Sequence, residues 1–218
     1  VLRKFLGALQ GLPNVGEFLM DVKPEEVRAL WKAMCRSYGT RTVTRSDSYA
    51  MRELGTLLGA MGIIDRGAWL DSCATTFGYN IYLPFDVGVP QAGWDLWAQA
   101  VTCAHEHQHV VQFQRAGAVG YVWDYVTDAA RRAEYEVEAL TCNLELDWWH
   151  WRNTPTPAYL ANLLTLYACG PVEVQAARRR LDMVTVTVRA GGIITAAGRT
   201  ALDWLDANCP HLAAARAG

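Results

Sequence analysis

Between Gly93 and Arg115 the chain carries neither proline nor glycine, and Trp97, Val101, His105, Gln108, His109 and Gln112 recur at steps of three and four. That spacing predicts a long helix with polar groups on its inner stripe. Within it, Cys103-Ala-His105-Glu106-His107-Gln108-His109 contains H-E-x-x-H. Residues i and i+4 share one helix face, so His105 and His109 can hold one Zn²⁺ together, with Glu106 displaced around the helix toward a zinc-bound water. Zinc lowers the pKa of such a water to roughly 7, and Glu106 is placed to take its proton and later pass it to a leaving amine. With five His and ten Glu in the chain, the pattern arises by chance on the order of once in 200 such sequences. His107 lies about 200° around the helix from His105 and cannot share the ion; it reads as a surface or outer-shell histidine. Cys103 reads as a buried thiol.

A catalytic zinc site takes three protein ligands and leaves one position open, so a third donor must come from elsewhere. The acidic run Glu134-Tyr135-Glu136-Val137-Glu138 lies on the next helical stretch, far enough downstream to pack antiparallel against the first. Glu134 and Glu136 flank the apolar face of that stretch on either side, and Glu138 points further toward solvent. Periodicity leaves Glu134 and Glu136 as alternatives.

The run His105 to Gln112, H-E-x-x-H-x-x-Q, followed by a Gly/aromatic segment and then Tyr135-Glu136-Val137-Glu138-Ala139, resembles the gluzincin group of zinc metallopeptidases. The similarity is closest to compact members with an E-x-E-A ending and covers about 65 residues, Phe77 to Cys142. It implies an α+β fold, a mostly helical zincin-like domain with a small edge-exposed sheet. It also implies hydrolysis of a peptide or amide bond in a peptide or protein substrate. Gly78-Tyr-Asn-Ile-Tyr-Leu-Pro84 resembles the edge strand that pairs with an extended substrate in that group. The ligand carries over to Glu136, three before the alanine. The chain departs from the pattern at Leu140, where an acidic residue usually supports a histidine ligand, whereas Glu134 has Glu138 four residues on and stays an alternative ligand. The resemblance does not identify the group that steadies the oxyanion; Tyr121, Tyr125, Tyr135 and His150 are nearby in sequence. His150, fourteen residues past Glu136, is about 21 Å away along a straight helix and reaches the metal only if the helix breaks.

The rest of the sequence narrows the setting. A chain of 218 residues removes roughly 70% of its unfolded surface from water, so a metal is not needed for folding and reads as functional. A formal net charge of −2 and a longest basic run of only Arg178 to Arg180 give no footprint for nucleic acid. No apolar stretch approaches the about 20 residues of a membrane span. No signal peptide is read at Val1 to Gln10, and six cysteines without a C-x-x-C favour a reducing compartment such as the cytoplasm. No repeat or linker divides residues 1–218, so one domain is expected.

Further helices are expected at Pro24 to about Gly39, Ser46 to about Met61, Val126 to Trp151, Tyr159 to Ala168, Val172 to Leu181 and Thr200 to Ala207. Gly117 and Gly120 interrupt the helical run before Val126. Strands are expected at Phe77 to Pro84, on a sheet edge, and at Met183 to Val188. Gly55-x-x-x-Gly59-x-x-Gly62 is assigned no function. Trp148 reads as core; Trp149 and Trp151, if exposed together, mark a surface for a protein partner. That surface is the basis of the rival expectation, a catalytically silent zincin-fold module within a larger assembly.

Overall fold

The computed structural model describes residues 21–44 and 74–212. The expected helix Ser46 to Met61, its glycine pattern and the Val1 to Gln10 segment lie outside them. The described residues form a mostly helical α+β structure with one small sheet. The elements are α1 (Pro24–Tyr38), β1 (Arg41–Thr44), β2 (Thr75–Phe77), β3 (Asn80–Leu83), α2 (Leu96–Ala116), α3 (Ala118–Thr127), α4 (Ala129–Trp151), α5 (Pro157–Leu163), a 3-10 turn (Leu164–Tyr167), α6 (Pro171–Arg189) and α7 (Ala196–Asn208).

The strand order is β1-β3-β2, with β3 parallel to β1 and antiparallel to β2. The segment expected at a sheet edge is therefore central. Ile81, Tyr82 and Leu83 are all buried, so the strand is covered on both faces, and Pro84 ends its ladder rather than marking an edge. Among the described residues β2 is the edge strand beside α2. The two-residue turn joining β2 to β3 holds Gly78 at φ 61, a left-handed value that glycine adopts without steric cost.

α4 is the partition of the molecule. Ala133, Val137, Leu140 and Leu144, at helical spacing, pack into a core closed by Leu160 and Leu164 of the α5 region and Leu181 and Val188 of α6. Cys142, Leu146 and Trp149 face a second core shared with Leu30 and Met34 of α1, Ile81 and Leu83 of β3, Ala100 and Ala104 of α2, and Leu202 and Leu205 of α7. With apolar partners on both sides α4 is buried along most of its length, which leaves its polar positions to be satisfied internally.

Several helical expectations change at their ends. α2 begins at Leu96, where the Asp95 side chain accepts from Ala98 N at 2.7 Å, the usual N-cap arrangement. Gly120 does not break the chain but lies inside α3, and the expected stretch from Val126 divides at Asp128, whose carboxylate accepts from Ala130 N and Arg131 N to start α4. A glycine in a helix costs about 1 kcal/mol against alanine; Tyr121 and Tyr125, which α3 turns inward, offset it by packing. Arg132 then secures this corner, donating to the carbonyls of Tyr125 at 2.6 Å and Tyr167 at 2.7 Å.

The expected strand Met183 to Val188 is helical, the second half of α6. Its Val/Thr alternation is a strand pattern, yet the buried residues are Leu181, Thr185 and Val188, while Met183 and Val186 are 66% and 71% exposed. Burial at steps of four and three is helical, so packing against α4 overrides local preference. No helix among the described residues is long and apolar enough to cross a membrane.

Candidate metal centre

α2 and α4 lie side by side, and at their contact His105, His109 and Glu136 converge. The ligand-capable atoms of the three residues all lie within 4.8 Å of one another, and no other such group of His, Cys, Asp or Glu occurs among the described residues. His105 Nε2 is 3.9 Å from Glu136 Oε2, and His109 Nε2 is 3.7 Å from Glu136 Oε1. A tetrahedral zinc with bonds of about 2.0–2.1 Å separates its donor atoms by about 3.3 Å. The three groups could hold a metal ion after moving closer together.

The other two glutamates are engaged elsewhere. Glu134 is half-exposed and pairs with Arg131 one turn back, at 2.7 Å. Glu138, expected to face solvent, turns instead toward α2, where it accepts from Gln108 Nε2 at 2.8 Å and from both terminal nitrogens of Arg115.

Both histidines are oriented by amides. His105 Nδ1 lies 3.0 Å from Asn143 Oδ1, and His109 Nδ1 lies 2.9 Å from Gln112 Oε1. Gln112 cannot present its nitrogen instead, because its Nε2 donates to Tyr135 O at 2.8 Å. With carbonyl oxygens as acceptors, each Nδ1 carries the proton and each Nε2 keeps its lone pair toward Glu136. Burial, and then the neighbouring His109, push His105 down to about 4 against the opposing pull of Glu136 and Asn143, so its ring is neutral at neutral pH, the state a metal requires. The support that Leu140 cannot give comes from Asn143, two helical turns beyond Glu136 on the same helix face.

Glu106, the residue after His105 on α2, is buried. Thr76 of β2 donates through Oγ1 to Glu106 Oε2 at 2.7 Å and reaches the Glu106 carbonyl at 3.1 Å. Tyr125 donates its hydroxyl to Glu136 Oε1 at 2.8 Å, and burial, then Glu136, raises its pKa well above the ordinary tyrosine value. It therefore stays protonated as a donor. Tyr121 is raised in the same way, and its hydroxyl lies 3.4 Å from His109 Nδ1.

The remaining sequence candidates fall outside the site. Tyr135 donates to Asp124 Oδ2 at 2.9 Å, and His150 is packed between Trp97 and Trp151, with ring centroids 4.0 and 3.9 Å away. His107 is a core residue rather than a surface one: it is fully buried, its Nδ1 donates to Cys103 O at 2.7 Å, and Thr40 Oγ1 lies 2.9 Å from its Nε2. Cys103 is buried as expected. Trp149 is buried and Trp151 is 39% exposed, so the two do not form the joint surface on which a docking role was expected.

Thr76, Asn143 and Tyr125 in its role on Glu136 are the site residues that sequence reasoning missed. Each acts across a tertiary contact, and no local pattern marks it. Gln112 did carry a signal, as the last residue of H-E-x-x-H-x-x-Q.

No family model, no curated protein and no solved structure matches this chain.

Proposed function

We propose that this chain is a zinc-dependent hydrolase of the zincin type that cleaves a peptide or amide bond. The reading rests on one observation, the convergence of one ligand-capable atom from each of two histidines and a buried carboxylate within 4.8 Å, with Glu106 next to the first histidine on the same helix. His105, His109 and Glu136 would hold the metal, which when bound polarises a carbonyl and acidifies a water.

This chain's own residues supply the rest. Glu106 takes the proton of the attacking water and returns it to the departing nitrogen. Thr76 holds that carboxylate by Oε2, and Tyr125 holds the Glu136 carboxylate by Oε1, so both acids keep one orientation through the reaction. The amides of Asn143 and Gln112 fix the two rings. β2 carries Thr76 against Glu106, so an extended polypeptide lying along β2 passes the proton-transferring carboxylate, which favours a peptide over a small amide.

The test is elemental analysis after exhaustive dialysis and zinc add-back. The wild type is expected to retain about one zinc per chain, and His109→Ala and Glu136→Ala to lose it. Glu106→Gln is expected to keep the zinc and abolish cleavage of a peptide library. A wild type that takes up no zinc sinks the proposal; a Glu106→Gln protein with full activity sinks the assignment of the base.

A further inference from the structure

The groups behind the two histidines are both neutral. Where an outer-shell carboxylate accepts from a ligand imidazole, it raises the basicity of the ring and adds a negative charge next to the metal. Here the acceptors are the Oδ1 of Asn143 and the Oε1 of Gln112. They fix the ring and its tautomer as a carboxylate would, but donate less electron density and add no charge. Two neutral imidazoles and one carboxylate leave a divalent ion with a formal charge of +1, and nothing bonded to the imidazoles reduces it.

We infer that Asn143 and Gln112 are positioning residues that tune this site toward a metal more electrophilic, and less tightly held, than carboxylates in their places would give: the amides orient His105 and His109 while withholding the charge that would tighten binding further. The inference rests on the metal reading above and adds to it how tightly, and in what electronic state, the ion is held.

The two amides differ in how they can be probed. Gln112 is held at both ends, donating to Tyr135 O as well as accepting from His109. A glutamate there would set a carboxylate oxygen against a carbonyl, so Gln112→Glu mixes a charge effect with a broken contact. Asn143 has one contact to the site, with His105 Nδ1 at 3.0 Å, and is itself half-buried. Asn143→Asp keeps the shape and the acceptor and changes only the charge, while Asn143→Leu removes the acceptor.

The experiment is zinc affinity of the full chain by chelator competition at pH 7.5, with the visible spectrum of the cobalt(II) form alongside. Thermal unfolding of each metal-free variant serves as the folding control. Asn143→Asp is expected to bind zinc about tenfold or more tighter than wild type, and Asn143→Leu about 10- to 100-fold weaker. The cobalt ligand-field bands should move in Asn143→Asp, a change that a purely structural role for Asn143 would not produce. Zinc bound by the wild type with affinities in both variants within about twofold of it, and unmoved cobalt bands, would overturn the inference while leaving the metal site standing. Absence of zinc in the wild type would remove the metal reading and this inference together. Should Asn143→Leu fail to fold, the near-isosteric Asn143→Asp decides the matter alone.

Discussion

Gln112 joins the two helices of the site through a single side chain, its oxygen on His109 of α2 and its nitrogen on the Tyr135 carbonyl of α4. Replacing it with leucine leaves a buried imidazole N–H and a buried carbonyl without that partner, and each such loss costs about 1–3 kcal/mol. Gln112→Leu is therefore expected to lower the unfolding free energy of the metal-free protein by about 2–5 kcal/mol in urea titration; a loss within about 0.5 kcal/mol would show that the amide bridges nothing of consequence. Acid stability is also set residue by residue. Burial pushes both His105 and His107 from 6.5 down to about 4, so between those values the unfolded chain binds more protons and stability falls as the pH drops. Asp147 acts the other way: burial raises its carboxyl from 3.8 to about 7, and the stability tied to its bound proton is lost as the pH rises through that window. Asp147→Asn removes the opposing contribution, so the urea midpoint of the metal-free variant should fall more steeply than that of wild type from pH 6.5 to 4. An equal or shallower slope would show that Asp147 does not hold its proton. At this scale the pairing of His105 and His109 on one helix face was legible, because i and i+4 spacing is a local fact. That Glu136 rather than Glu134 meets the two histidines was not legible from periodicity, because it depends on which face of α4 meets α2.

Among the elements, α6 shows most directly where local preference and packing part. Its Val184-Thr-Val-Thr-Val188 run has the residues of a strand, and only contact with α4 identifies the buried face as helical. Val186, exposed on that helix, separates the two possibilities: alanine is a better helix former and a poorer strand former than valine. Val186→Ala should raise stability by about 0.5 kcal/mol if the segment is helical in solution, and lower it if the segment is extended. α7 offers a second test. Thr195 N and Thr195 Oγ1 donate to the buried Glu145 carboxylate, and Ala197 N donates to Gln108 Oε1 at 3.1 Å. Acceptors from α4 and α2 thereby satisfy N–H groups at the start of α7. Gly198 sits against that carboxylate so closely that a Cβ would overlap Glu145 Oε2 and Thr195 Oγ1. Gly198→Ala is expected to cost about 2–3 kcal/mol by overpacking, measured by chemical denaturation, whereas Gly120→Ala, with open space around its Cβ position, should be neutral or stabilising.

For the whole molecule, periodicity made the long helices legible, and the resemblance implied the mostly helical α+β character that the described residues show. They did not reveal that α4 divides two cores or that β3 is central, because both depend on contacts between residues far apart in sequence. The candidate ligands lie on α4, which separates those cores, and on α2, which packs into one of them, so binding of a metal between the two helices would be linked to global stability. A ligand that binds only the folded state contributes about 4 kcal/mol at a free concentration a thousand times its Kd. Zinc should therefore raise the Tm of the wild type in a concentration-dependent way that EDTA reverses, with no shift in His109→Ala. A zinc-independent Tm would mean that the ion does not bind between α2 and α4.

The order of the chain adds a consequence in time. His105, His109, Glu136 and Asn143 belong to α2 and α4, whereas α7, whose first turn rests on Gln108 and Glu145, lies near the end of the described chain. Contacts between near neighbours along the chain close sooner than distant ones, because less loop entropy opposes them. During synthesis α2 and α4 can thus come together while α7 is still being made. Pulsed hydrogen exchange during refolding is expected to protect the amides of α2 and α4 before those of α7. Zinc present from the start should accelerate that first phase and leave the docking of α7 unchanged; simultaneous protection of all three helices would show that the metal pocket and its closing helix assemble as one unit.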